Sequence, residues 1–263
     1  MRILVINPNT NAAMTAEILA AARAAASPGT EVLAATAPFG VDGVDTQFES
    51  LLSAAAVMDV VATWQGPPLD AIVLAGFGEH GREGVQELVD VPVLDIAECS
   101  AQVAMMLGRR YGVVTTLARS AAAIEDRLLL AGLLARCSGV RSTGMTTAET
   151  DADPRAATAA VVEQARRAVT EDGAEVICLG CGGMAGITQA VADALGVPVV
   201  DGVSAGVQLA QALVGLGLKT SKVGVAAPPE DRPVRGWPLT RHLDLPPADT
   251  PPGDTPPAFE EPR

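Results

Sequence analysis

A chain of 263 residues with 49% hydrophobic content and a mean hydropathy of +0.30 can bury a sizeable core, and its length suits one or two domains. A formal net charge of −13 disfavours nucleic acid and anionic membrane as partners, because both reward basic patches. No run approaches the roughly 18 apolar residues of a membrane span, four cysteines are too sparse for a disulfide scaffold, and 3% aromatics make a base-stacking platform a poor expectation.

The chain opens directly on a strand pattern, Arg2-Ile-Leu-Val-Ile6, without a signal-peptide layout, so the cytoplasm is the expected location. Pro8 ends the strand, and Thr10 or Asn11 can cap an Ala-rich helix over residues 12–26. Pro28-Gly29 breaks that unit; a second strand follows at 31–35, a loop at 38–43 and a helix at 46–63. A third strand, 70–76, leads into the turn Phe77-Gly-Glu-His-Gly81. Strands and helices alternate in this way throughout, which predicts an α/β fold with parallel sheets.

The richest stretch is Glu175-Val-Ile-Cys-Leu-Gly-Cys181-Gly-Gly-Met-Ala-Gly186. Its continuous apolar run, 176–179, reads as a parallel strand covered on both faces. The glycines at 180, 182, 183 and 186 let the backbone turn sharply and a ligand come close. Helical spacing over 187–195 places Cys181 beside unpaired N–H groups and the positive end of a helix dipole, which lowers a thiol pKa from about 8.5 toward neutrality. An isolated cysteine is more often a small buried apolar residue; the glycine cluster reverses that preference here. Cys178 completes a CxxC spacing, but it lies inside the strand with no second CxxC or His cluster, so no metal is expected.

Two segments repeat. Ala71-Ile-Val-Leu-Ala-Gly76-Phe-Gly78, a helix and Val91-Pro-Val-Leu-Asp95 parallel Val176-Ile-Cys-Leu-Gly-Cys181-Gly-Gly183, a helix and Val197-Pro-Val-Val-Asp201. Gly76 and Cys181 are 105 positions apart, and residues 3–8 correspond in the same way to 112–116. Two pseudo-symmetric lobes follow, the first from residues 1–97 with 203–222 and the second from 98–202. A tail over 226–263, with 11 prolines in 38 residues, is expected to be extended, its apolar knot Gly236-Trp-Pro-Leu239 docking on the body or a neighbouring subunit. Ligands of open α/β sheets bind beyond the carboxyl ends of the strands, so Asn7 and Gly76 should face Thr115, Thr116 and Cys181 across a cleft. The loop over 38–47 is expected to form part of the pocket wall.

Ile6-Asn-Pro-Asn-Thr10, Ala-Gly-Phe-Gly78, Val-Pro-Val-Leu-Asp95, Val-Val-Thr-Thr116 and the run from Glu175 to Met184 resemble the hydantoin and allantoin racemases of the aspartate/glutamate racemase superfamily. The resemblance covers about residues 1–222. It implies two pseudo-symmetric α/β lobes with the active-site cleft between them, and a homo-oligomer. It also implies proton transfer without a cofactor, at a carbon next to a carbonyl of a small cyclic ureide or related amino-acid derivative. In that family a cysteine serves each face of the substrate. One matches Cys181; the other falls at Gly76.

Stereoinversion needs proton exchange on both faces of a planar carbanion, so a one-cysteine site has three routes. A second base comes from Glu79, His80 or bound water; the substrate turns over after deprotonation; or the reaction needs one proton only, as in decarboxylation of a malonate-type acid. The last case resembles arylmalonate decarboxylase, a relative with one cysteine matching Cys181 and a glycine at the other position. The turn Phe77-Gly-Glu-His-Gly81 is closer to the racemases, so a racemase ranks first, a decarboxylase second and a binding scaffold without turnover third.

In the racemase reading Cys181 is the acid/base. Main-chain N–H groups of Phe77, Gly78, Gly182 and Gly183 stabilise enolate charge, and Asn7, Thr115 and Thr116 hydrogen-bond the substrate. As lone residues the polar ones are more often helix caps or strand-end turns, and the repeat raises their standing because they sit at equivalent strand ends. His80 is expected to be a solvated residue in the first turn of a helix ahead of a catalytic one, and Glu79 a partner of that helix's dipole ahead of a base.

Overall fold

The structure, a computed structural model, describes residues 1–230, the side chain of residue 151 aside. The tail expected beyond residue 230, with its Gly236–Leu239 knot, lies outside the described residues. In the first half β1 (Arg2–Asn7), α1 (Ala12–Ala25), β2 (Glu31–Thr36), α2 (Gln47–Ala62), β3 (Ala71–Leu74), α3 (Arg82–Leu88), β4 (Val93–Asp95) and α4 (Ile96–Leu107) follow one another. The second half runs β5 (Tyr111–Thr115), α5 (Ala121–Leu130), β6 (Cys137–Ser142), α6 (Thr147–Ala152), α7 (Pro154–Thr170), β7 (Val176–Leu179), α8 (Thr188–Leu195), β8 (Val199–Asp201) and α9 (Gly202–Gly215).

Two four-stranded sheets result, ordered β2-β1-β3-β4 and β6-β5-β7-β8, and every strand pair is parallel. The same order in both sheets makes the fold two pseudo-symmetric α/β lobes. The repeat extends to the helix caps. Asp95 closes β4 and accepts the N–H of Glu98 at 2.8 Å, while Asp201 closes β8 and accepts that of Ser204 at 2.8 Å. Asn11 caps α1, accepting the N–H groups of Ala13 and Met14, and Thr46 forms a capping box with Glu49 at the start of α2.

The main core crosses from lobe to lobe. Ile3, Val5 and Val73 of the first sheet belong to one buried cluster with Val113 and Cys178 of the second, joined by Ile96 of α4 and Val203 of α9. Separate clusters fill the outer faces: Val57, Val60 and Val85 against the first sheet, Val161, Ala165 and Val191 against the second. Each central strand is therefore apolar on both faces, which is why its sequence shows no alternation. Among the described residues no helix is long and apolar enough to cross a membrane.

The helix expected over 187–195 is α8, but the expectation that its dipole adjoins Cys181 needs correction. The segment after Cys181 is a 3-10 helix, Gly182–Ile187, and the α-helix begins only at Thr188. Three glycines in that segment each weaken an α-helix by about 1 kcal/mol, and Met184 N–H instead closes a tighter turn onto the Cys181 carbonyl at 3.1 Å. The α-helix dipole thus starts a full segment away from the thiol.

Candidate active site

β3 ends at Leu74 and β7 at Leu179, so Gly76 and Cys181 stand two residues beyond equivalent central strands. These tips meet. A Cβ on Gly182 would lie 2.5 Å from the Ala75 carbonyl oxygen, a distance only glycine permits. Beside this junction opens a cavity of about 310 Å³ that both lobes line. The first lobe contributes Asn7 and Asn9 after β1, residues 75–80 after β3, and residues 44–47 with Ser50 around the start of α2. Thr115 and Thr116 after β5, Gly180 to Gly182 after β7, and Arg119, Asp126 and Thr147 come from the second lobe.

Cys181 is half-buried on this wall. Its strand tip is tied to β5 by the Thr115 hydroxyl, which donates to the Gly180 carbonyl at 3.2 Å. The Thr116 hydroxyl bonds to none of the described residues and faces the cavity. Gly183 is not part of the lining; a Cβ there would touch Met14 at 3.5 Å and the Cys181 sulfur at 3.9 Å. The other three cysteines are unsuited to proton transfer at neutral pH. Burial pushes the Cys178 thiol up to about 12, and also raises Cys99 and Cys137.

The first-lobe wall differs in character. The Asn7 amide nitrogen donates to Asn9 Oδ1 at 2.7 Å, Thr15 Oγ1 at 3.0 Å and the Asn11 carbonyl at 3.1 Å, so this side chain mainly holds its own loop together. Asn9 is the more available amide, since its nitrogen meets only the Met14 sulfur, at 3.2 Å. Glu79 is not a dipole partner alone. Its carboxylate accepts from the Gly81 N–H at 2.6 Å and from Arg127 at 3.0 Å, which commits both oxygens.

His80 is not solvated. Only 7% of it is exposed, it lines the cavity, and its Nδ1 is buried without a hydrogen-bond partner. The turn folds the ring back over Gly76: a Cβ on Gly76 would sit 2.0 Å from His80 Cδ2 and 2.4 Å from Nε2. Burial, with the Arg127 guanidinium adding to it, lowers the imidazole pKa to about 4, so the ring is neutral at physiological pH.

Arg127 itself, 2% exposed on α5, reaches across to Glu79, Glu83 and Asp95 of the first lobe and to Glu98 at the start of α4. Sequence reasoning missed this residue, because an arginine following Glu125-Asp126 in a helix reads as part of a solvated charged face and carries no signal of its distant partners. It also missed Asn9, although Asn7-Pro-Asn-Thr-Asn11 concentrates amides beyond a strand end. Main-chain N–H groups of Phe77, Gly78, Gly182 and Gly183 find no acceptor among the described residues. Nor do the described residues hold a group of three or more His, Cys, Asp or Glu that could bind a metal ion.

Comparison with known proteins agrees with this arrangement. The family model described as Asp/Glu/Hydantoin racemase matches residues 3–210. The chain belongs to that family. It is 39% identical over 232 residues to a hydantoin racemase of Pseudomonas sp. (strain NS671), covering 88% of this chain and 93% of the relative. Among solved structures, the allantoin racemase from Pseudomonas fluorescens superposes with a TM-score of 0.88 at 55% identity, over 90% of this chain and 100% of that one. The allantoin racemase from Klebsiella pneumoniae gives 0.87 at 39% identity, over 91% and 98%. As a member of this superfamily the protein is an isomerase of the racemase type.

Proposed function

We propose that the protein racemises a cyclic ureide, allantoin or a 5-substituted hydantoin, with Cys181 exchanging the proton of the carbon next to the ring carbonyl. The observation carrying this reading is the cavity shared by the two strand tips, with the thiol on one wall and unpartnered main-chain donors on both. The similarity to allantoin and hydantoin racemases supports the substrate class.

Removing a proton from this carbon sends its electron pair into the carbonyl, so the barrier depends on donors placed where enolate oxygen develops. Phe77, Gly78 and Gly182 offer such donors from the cavity wall, and Thr116 and Asn9 have hydrogen bonds to give to the ring N–H and C=O groups. The Cys181 thiolate takes the hydrogen from the face it meets, forming S–H as the C–H bond breaks. Reprotonation from the opposite face inverts the centre.

Incubation of each enantiomer of allantoin or a 5-substituted hydantoin in heavy water tests this. Deuterium should enter the stereogenic carbon with loss of optical rotation, and Cys181→Ala should lower exchange by about 10³-fold or more. Wild-type protein that exchanges no ureide sinks the proposal. Release of carbon dioxide from an aryl malonate without exchange of any ureide would replace it by the decarboxylase reading.

A further inference from the structure

The repeat leaves a vacancy in chemistry but not in space. Gly76 is the topological counterpart of Cys181, two residues beyond a central strand on the same cavity, and it has no side chain to offer. The volume a side chain there would fill is taken by the His80 imidazole, whose Cδ2 and Nε2 lie 2.0 Å and 2.4 Å from the position of a Cβ on Gly76. Glycine at 76 is thus the condition for the ring to lie where it does.

Three further facts single out this ring. Its Nδ1 is buried with no hydrogen-bond partner among the described residues, an arrangement that costs about 1–3 kcal/mol unless a water, a ligand or a catalytic role accounts for it. The neighbouring carboxylate of Glu79 is committed to Arg127 and to the Gly81 N–H, which leaves it poorly placed as a base. The other histidine, His242, lies outside the described residues.

We infer that His80 is the proton-transfer group of the first lobe, delivered from the turn into the place opposite Cys181 that a side chain at position 76 would otherwise occupy. This rests on the racemase reading above and names the second group that reading requires. For one enantiomer the neutral imidazole accepts the substrate proton: a C–H bond breaks, an N–H bond forms, and the electron pair moves onto the carbonyl oxygen. The Cys181 thiol then gives its proton to the other face of the carbanion, leaving thiolate and imidazolium. That pair is the form that acts on the opposite enantiomer, or it returns to the resting state by proton exchange with water. Because burial and Arg127 disfavour the imidazolium, it is a strong acid and gives its proton up readily.

The experiment compares wild type, His80→Gln, His80→Ala and the double variant Gly76→Cys/His80→Ala on each enantiomer of allantoin in heavy water. Inversion is followed by circular dichroism, exchange by NMR, and folding by thermal unfolding. His80→Gln and His80→Ala should lose inversion by about 100-fold or more. Deuterium exchange with retention, for the enantiomer whose hydrogen faces Cys181, should fall at least about tenfold less than inversion does, which a merely structural role of His80 does not predict. The double variant removes the two nearest atoms to a Cβ at 76, leaving the Pro8 ring at 2.8 Å to give way, and should regain about tenfold or more over His80→Ala. Inversion in His80→Gln near the wild-type rate, inversion and one-face exchange falling together, or a double variant no better than His80→Ala each overturns the inference. Absence of exchange in wild type overturns the racemase reading instead.

Discussion

The two strand tips at the cavity share a backbone and differ in chemistry. Beyond β7 the chain places a thiol directly on the tip, braced by a neutral hydrogen bond from Thr115 to Gly180 and followed by a glycine-rich 3-10 segment. Beyond β3 the tip residue is a glycine, and the side chain that fills the space comes from four positions later, near an ion cluster centred on Arg127. The two lobes share strand order, parallel pairing and aspartate caps, although β5 pairs β6 with a register shift at Tyr111/Gly112 that β1 and β2 lack. The residues that touch the cavity were left to diverge, because a strand tip constrains backbone direction far more than side-chain identity.

Breaking the charged tip should have the largest effect on stability. Arg127→Met leaves Asp95 and Glu98, both buried, with Arg82 as their remaining cation, at 3.9 Å and 2.6 Å. Removing one partner of a buried ion cluster costs about 3–5 kcal/mol, measured by urea unfolding at pH 7. Burial first, then the nearby Asp95, already raises the pKa of Glu98, so the loss should shrink as pH falls and that carboxylate takes up a proton. A stability within about 1 kcal/mol of wild type at pH 7 would mean that Arg127 is no strut between the lobes.

His80 sharpens the same contrast through pH. The unfolded chain protonates histidine near 6.5 and the folded one only near 4, so between those values unfolding takes up a proton and stability falls as pH falls. The window amounts to about 3 kcal/mol, at about 1.4 kcal/mol per pH unit. His80→Asn should lack this contribution, so wild type should lose about 3 kcal/mol relative to the variant between pH 7 and pH 4. Taking the difference between the two proteins removes the parallel loss from Glu83. Burial works to raise that carboxylate's pKa, but Arg127 outweighs it and holds it low.

The sheets were legible because a parallel strand covered on both faces is written as an unbroken apolar run, and because Val-Pro-Val-Leu-Asp95 and Val-Pro-Val-Val-Asp201 mark one register twice. Cys181 stood out through its glycines. The burial of His80 did not, since Gly-Glu-His-Gly reads as a polar, solvated turn. Only the glycine at position 76, together with a chain reversal that no local pattern encodes, brings the ring inward. Arg127 stayed hidden for a related reason: its four acidic partners come from three separate segments and converge only after the lobes pack. The helix expected over 187–195 is there from Thr188, but the dipole end expected beside Cys181 is not, because the glycine-rich 3-10 segment Gly182–Ile187 intervenes.

The junction between the tips is tested by two neighbouring glycines. Gly182→Ala drives a methyl to 2.5 Å from the Ala75 carbonyl oxygen, backbone that can yield only if the lobes shift, and should cost about 1–3 kcal/mol. Gly183→Ala meets only Met14 and the Cys181 sulfur at ordinary contact distances and should cost well under about 1 kcal/mol. Equal melting temperatures for the two variants would mean that the tips do not touch.

The smallest expected effect separates Thr115 from Thr116, adjacent residues with unlike tasks. Thr115→Val removes the bond to Gly180 and should cost about 1 kcal/mol of stability, with kcat falling because the strand tip that holds the thiol is loosened. The Thr116 hydroxyl bonds to none of the described residues, so Thr116→Val should leave the melting temperature nearly unchanged and raise KM for a ureide that it contacts. A reversed pattern, with Thr115 acting on KM and Thr116 on stability, would mean that the brace at this tip had been assigned to the wrong threonine.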